Sequence, residues 1–288
     1  MNTALLYPSG YNAEFLQVPL PLPAPPAGTL IRELLYTHFT VLLDPARRPA
    51  IATGVNIDSD RLVTVDRVDN WHLDSLIPTY EQAGEGVYAR NDLDRGHLVR
   101  RQDPVWGDTT TARRANYDTF AYTNAAPQAG AFNQSKQLWL DLEDHILTYA
   151  RTNRNRISVF TAPVLSAQDP IYRGVKIPQA FWKIAAWTTT TEGSTVLRAA
   201  GFVLDQSPQL EDIDLDTVRA PALMYGHPPP LGPYRTYQVP IVDIIDLTGL
   251  TLTALSEADI YARAPAIRDG TDRRTRWVEL VDTAEIRL

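Results

Sequence analysis

From Leu30 onward the chain is organised by short apolar runs with two distinct periods. Leu35, Thr37, Phe39 and Val41 alternate with Tyr36, His38 and Thr40, as in a strand. A turn around Pro45–Pro49 leads to a second run, Ala50–Ile57, and the two together predict a hairpin. Leu62–Val65 is a third strand candidate. Three longer β-branched runs follow, Ile157–Leu165, Phe181–Thr188 and Thr195–Leu204, punctuated by turn residues such as Gly174 and Gly193. Helical periodicity is rarer. Leu138, Leu142, Ile146 and Tyr149 form an apolar stripe that predicts a helix over Gln134–Tyr149. Shorter helices are expected near Thr111–Asn116 and Ser256–Arg263. Strands and helices do not alternate regularly, so the pattern reads as α+β, built on a mostly antiparallel central sheet flanked by helices.

Ahead of this body, residues 1–28 read as an arm and 29–288 as one domain. Pro19, Pro21, Pro23, Pro25 and Pro26 favour extended polyproline II and forbid a helix. A linker to a partner domain and a strap over the body both suit such a segment. With 288 residues, 44% of them hydrophobic, the chain can bury a full core without staples. No apolar run approaches the roughly 18 residues of a membrane span, and the N-terminus lacks the basic start of a secretory signal. A cytoplasmic location and no membrane partner are therefore expected. With no cysteine, disulfides, thiol catalysis and cysteine-zinc sites are excluded. A net charge of −7 argues against coating nucleic acid, but permits one local basic patch.

The histidines are His38, His72, His97, His145 and His227, and no two have zinc-ligand spacing. His38, His72, His145 and His227 read as structural or surface residues. His97 differs in its neighbours, Asp94-Arg95-Gly96-His97. Arginine can hold an anion beside an imidazole that accepts a proton near neutral pH, and Gly96 is read as permitting a sharp turn.

Further motifs follow in order: Asp118–Gln128, containing Asn124-Ala125-Ala126-Pro127-Gln128; then Phe132-Asn133-Gln134; then Trp139 and Leu142-Glu143. Flanking pieces are Tyr36-Thr37-His38-Phe39, Val55-Asn56-Ile57-Asp58, Val105-Trp106-Gly107 and Ile177-Pro178-x-x-Phe181-Trp182-Lys183. The ordered set, spanning roughly Leu30 to Ile260, resembles the non-specific DNA/RNA endonuclease family, the endonuclease G-like ββα-metal nucleases. The resemblance implies a magnesium-dependent, sequence-non-specific endonuclease that hydrolyses phosphodiester bonds in DNA and RNA and leaves 5′-phosphate ends. His97 would be the general base and Asn133 the direct ligand of Mg2+, with Mn2+ an alternative ion; water and phosphate oxygens would complete the coordination, as suits a hard cation.

The resemblance further implies that Arg95 lies beside a phosphate, that Asn124 braces the histidine region and that Glu143 holds metal-bound water. Arg67 matches a phosphate-contacting arginine, with a surface salt bridge as the competing reading. Asn133 and Trp139 are six residues apart where shorter members have four. Extra residues before the helix would keep Glu143 in register; inside it, they would favour Asp141 or Asp144. Arg90, Arg95, Arg100, Arg101, Arg113 and Arg114 outnumber the aspartates of that stretch, and Arg151, Arg154 and Arg156 follow the long helix. Such patches suit backbone contact without base reading. Family members are often dimers, so a homodimer is a further expectation. The alternative functions are the same chemistry used as a toxin or defence effector, and a non-catalytic nucleic-acid-binding member.

Overall fold

The computed structural model describes residues 9–129, 134–153, 155–207, 234–261 and 276–288. Its twelve strands are β1 (Arg32–Tyr36), β2 (Phe39–Leu43), β3 (Ala50–Asp58), β4 (Leu93–His97), β5 (Ala125–Ala129), β6 (Arg156–Val164), β7 (Ile171–Tyr172), β8 (Val175–Lys176), β9 (Ala180–Thr191), β10 (Ser194–Asp205), β11 (Arg235–Val239) and β12 (Val278–Leu280). The helices are α1 (Glu85–Tyr88), α2 (Thr109–Asp118), α3 (Gln134–Asn153), α4 (Ile241–Thr248) and α5 (Thr253–Glu257). Eight strands form one antiparallel sheet in the order β1-β2-β3-β6-β9-β10-β11-β12. The expected α+β architecture is present, and the three long runs become β6, β9 and β10.

The first run is not one strand. It breaks at Thr37–His38, where His38 takes φ +69°, so β1 and β2 are already a hairpin. Its turn lacks the Asn-Gly or Gly signals that usually mark one, and apolar alternation continues straight through it. Leu62–Val65 is not a strand either, making only an isolated bridge from Leu62 to Trp106. The third predicted helix lies earlier than expected, as α5, and residues 262–275 fall outside the described region.

The sheet buries both faces. On one, Leu142, Ile146, Leu147 and Ala150 of α3 pack with Val41, Val55, Val159, Phe181, Ala185 and Phe202. On the other, Phe15, Leu16 and Leu20 of the arm join Trp182, Ile184, Ile241, Ile244 and Leu255. The arm is hydrogen-bonded as well as packed: Tyr11 N–H donates to Thr40 Oγ1 at 2.9 Å, and Asn12 N–H to Asn56 Oδ1 at 2.7 Å. Close approach on this face depends on two glycines. A Cβ on Gly54 would come within 2.4 Å of Leu22, and one on Gly201 within 3.0 Å of Ile241. Among the described residues no helix is long and apolar enough to cross a membrane.

Outside the main sheet, β4 and β5 form an antiparallel ribbon pairing His97 with Ala125 and Asp94 with Gln128. With α3 next in sequence they make the ββα unit. Leu98, Val99, Ala126 and Ala129 anchor this unit to the α3 side of the core.

Candidate active site

Strand β4 ends at His97 on the wall of a cavity of about 1070 Å³. The cavity is lined by Arg67, Asp69 and Trp71, by Glu85, Arg95 and Tyr122, and by Arg100, Arg101, Gln128 and Glu143. Strand alternation carries residues of β4 to both sides of the ribbon, and the preceding loop brings in Arg67–Trp71.

His97 lies against Trp71, with ring centroids 4.7 Å apart, and meets Phe120 edge-on at 5.3 Å. Burial, reinforced by the Arg67 and Arg101 charges, pushes the imidazole down to about 3. The ring is therefore neutral at physiological pH, as a base must be before it acts. Its Nε2 is buried without a hydrogen-bond partner, as are Nε of Arg95 and one terminal nitrogen of Arg100. All three atoms belong to side chains that line this cavity.

Arg95 sits over the rings of Tyr88 and Trp71, at 5.6 and 5.9 Å. Its outer end pairs with Glu85, whose carboxylate also accepts from the Tyr122 hydroxyl at 2.6 Å. Both contacts hold the Glu85 carboxyl below its ordinary range. Arg67 reaches the cavity too, pairing with Asp69 at 2.8 Å and lying over Phe120. The salt bridge expected as the competing reading for Arg67 is thus present alongside its place on the cavity wall.

Asn124 does not line the cavity. It is fully buried and clamps the chain just after His97: Oδ1 accepts from Val99 N–H at 2.8 Å, while Nδ2 donates to the carbonyls of Val99 and Thr119 at 2.9 and 3.0 Å. Gly96 is not at a turn. It lies inside β4, where a Cβ would sit 2.1 Å from the Gln128 side chain. Its smallness, not backbone freedom, fits it there, because β5 has no local signal in β4 to announce it.

Helix α3 presents Glu143 to the cavity, 8% exposed, whereas Asp144 points outward at 62%. Lys183 Nζ donates to Glu143 Oε1 at 2.8 Å, and Arg100 Nε is 3.7 Å from the other oxygen. Asp103 is buried alongside, its carboxyl pushed up to about 7 by burial against the pull of Arg100 and Lys183. Asn133 lies outside the described residues, as do Arg154 and His227. Neither Arg151 nor Arg156 lines the cavity; Arg156 faces Asp58 instead.

The histidines read as structural behave accordingly where described. His38 stacks on Trp106 at 3.4 Å and contacts the Pro104 carbonyl, and His72 stacks on Tyr117. Residue patterns had given no role to Trp71, Glu85, Tyr122 or Lys183. Lys183 alone carried a visible signal, a cation inside the apolar run Phe181–Trp187.

Among the described residues, no three histidine or carboxylate side chains converge as a metal cage. Oxygen donors nevertheless line the wall beside His97, in Glu143, Asp94 and Gln128. Magnesium keeps several waters and needs only one or two protein oxygens, so this sparse set fits a hydrated magnesium and not a histidine-held zinc.

Several known proteins are similar to this chain. The uncharacterized protein y4fB of Sinorhizobium fredii is 37% identical over 280 residues, covering 88% of this chain and 40% of that protein. Bovine mitochondrial endonuclease G is 27% identical over 164 residues, covering 53% of this chain and 51% of its own; the human enzyme is 26% identical over 197 residues, covering 64% and 63%. The chain thus spans about 40 to 63% of the length of these relatives. A crystal structure of an EndoG/EndoGI complex shares the fold with a TM-score of 0.55 at 17% identity, covering 77% of this chain and 85% of the matched one. The family model for DNA/RNA non-specific endonucleases matches residues 23–259, and the chain belongs to that family.

Proposed function

We propose that this chain is a magnesium-dependent endonuclease that hydrolyses phosphodiester bonds in DNA and RNA without sequence preference, leaving 5′-phosphate ends. One observation carries the reading. Three side chains that line one cavity each carry a buried, unpartnered polar atom, and they are two guanidinium groups and a neutral imidazole. Buried donors without acceptors are costly in a folded protein. Two cationic donors beside a neutral base suit an anion whose cleavage needs a proton removed. Residues 29–288 form the nuclease domain in this reading, and 1–28 an arm attached to it.

Arg95 and Arg67 bind backbone phosphate, with Arg100 and Arg101 adding charge in the same cavity. Guanidinium forks match phosphate oxygens in pairs. His97 takes the proton from the attacking water onto its imidazole. Trp71 and Phe120 fix the ring and keep bulk solvent from it. Asn124 holds the backbone behind His97, so the base keeps its aim. Glu143 orients water in the cavity, with Asn133 the direct ligand to the ion. Bound magnesium supplies charge neutralisation at the phosphate.

The test is digestion of supercoiled plasmid and of single-stranded RNA, with magnesium or with EDTA. Both substrates are expected to fragment to 5′-phosphate ends with magnesium and to survive in EDTA. His97→Ala should slow cleavage by about 10²–10⁴-fold while retaining DNA binding. Intact substrate with the wild-type chain, or cleavage undiminished in EDTA, would overturn the reading.

A further inference from the structure

Lys183 lies near the middle of the sheet, only 1% exposed, on β9 between Thr161 of β6 and Phe202 of β10. Its side chain shares the α3 face with Phe181 and Ala185, which are fully buried. An apolar side chain here would be the simplest core. A buried ion pair is often no more stabilising than well-packed apolar residues of similar volume. The charge instead meets a carboxylate, Nζ donating to Glu143 Oε1 at 2.8 Å. Glu143 is thereby held from two sides, since Arg100 Nε lies 3.7 Å from Oε2. Asp103 feels both cations, and Asp144 pairs with Arg100. Of these carboxylates, only Glu143 also lines the cavity with His97.

We propose that Lys183 is a positioning residue for the active site: from inside the sheet it locks Glu143 into one rotamer, leaving the second carboxylate oxygen toward Arg100 and the cavity. The inference rests on the nuclease reading in assigning Glu143 its work on water. The contact itself does not depend on that reading. Partners that orient a group acting on a metal's water commonly contribute about 10–100-fold to affinity or activity.

The experiment is a cycle of Lys183→Met, Glu143→Gln and the double variant, with Lys183→Arg as the charge-keeping control. Cleavage of a small phosphodiester is followed across magnesium concentrations, and Mn2+ binding to the metal-free chain is measured by calorimetry. Lys183→Met is expected to lower kcat about 10–100-fold and to weaken Mn2+ binding about 10-fold, with KM for the phosphodiester within about 2-fold. In the Glu143→Gln background the same change should do nothing further, because the group it positions is already gone. Lys183→Arg should recover part of the loss. Wild-type kcat and Mn2+ affinity in Lys183→Met, or an equal loss in the Glu143→Gln background, would show that Lys183 serves only the fold. Should Lys183→Met not fold, the cycle is run with Lys183→Arg, whose non-additivity with Glu143→Gln decides the matter. A wild-type chain that cleaves nothing, but loses Mn2+ affinity on Lys183→Met, would sink the nuclease reading and leave this one standing. Normal cleavage with no effect of Lys183→Met does the reverse.

Discussion

At the scale of single residues, the cavity holds its cations in check. The outer end of Arg95 is paired with Glu85, and Arg67 with Asp69, while Nε of Arg95 has no acceptor. An incoming phosphate therefore competes with a carboxylate already in place. Neutralising that carboxylate should help the substrate. Glu85→Gln is expected to tighten DNA binding severalfold and to steepen its salt dependence by about one unit of log K per log salt, since one more counterion is released. Weaker binding, measured by fluorescence anisotropy in EDTA, would instead make Glu85 a brace for Arg95. Buried titrating groups add a second consequence. Asp103 is pushed from an ordinary 3.8 up to about 7. Between those values the folded chain holds a proton that the unfolded chain has released, so this group lowers stability as pH rises. His97, pushed down to about 3, works oppositely: stability falls as pH drops below about 6.5, because only the unfolded chain takes up the proton. Asp103→Asn removes the first effect alone. Its gain in Tm over the wild type should be absent near pH 4, grow through pH 5–7 and level off above about 7. A gain that does not change with pH would contradict a buried, proton-holding Asp103.

At the scale of elements, the ββα unit shows what the residue pattern could and could not announce. The stripe Leu142, Ile146 and Tyr149 does face the sheet, because helical period is a local property. Glu143 follows from the same register, one residue beyond Leu142. The β1–β2 hairpin stayed hidden, since a tight turn through Thr37–His38 preserves alternation on both sides of it. The role of Gly96 was hidden for a different reason. What it must accommodate, Gln128, lies on another strand, and only the pairing of Gly96 with Ala126 brings it near. Gly96→Ala should force Gln128 aside or part the ribbon, at a cost of about 1–3 kcal/mol. Since His97 is the next residue, cleavage should fall with the melting temperature. Adding Gln128→Ala removes the clash and should restore both. A double variant no better than Gly96→Ala would show that the backbone, not the side chain of Gln128, sets the requirement.

At the scale of the whole molecule, similarity and structure disagree about where the indispensable chain begins. The family match starts at residue 23, inside the proline-dense stretch, and leaves the chain before it outside. The arm is not extended throughout, since it turns over Ala13–Leu16, ahead of that stretch. What its sequence did not show is that Phe15, Leu16 and Leu20 complete a core that also takes in Trp182 and Ile184 of β9 and Ile241 and Ile244 of α4. Those partners are more than a hundred residues away in sequence, so no local pattern could pair them. Gly54 records the same contact from the sheet, leaving the space that Leu22 fills. Burying the three side chains contributes about 5–9 kcal/mol together, comparable with the whole stability of a typical domain, about 5–15 kcal/mol. A chain starting at residue 24 should therefore expose this face and melt far below the full chain, or fail to melt cooperatively. It should also bind a hydrophobic dye at room temperature. Leu20→Ala alone should cost about 2–5 kcal/mol, with cleavage by the folded fraction unchanged, since the arm lies across the sheet from His97. If the shortened chain keeps the full chain's Tm, the arm is an appendage after all, and the second face of the sheet must close without it.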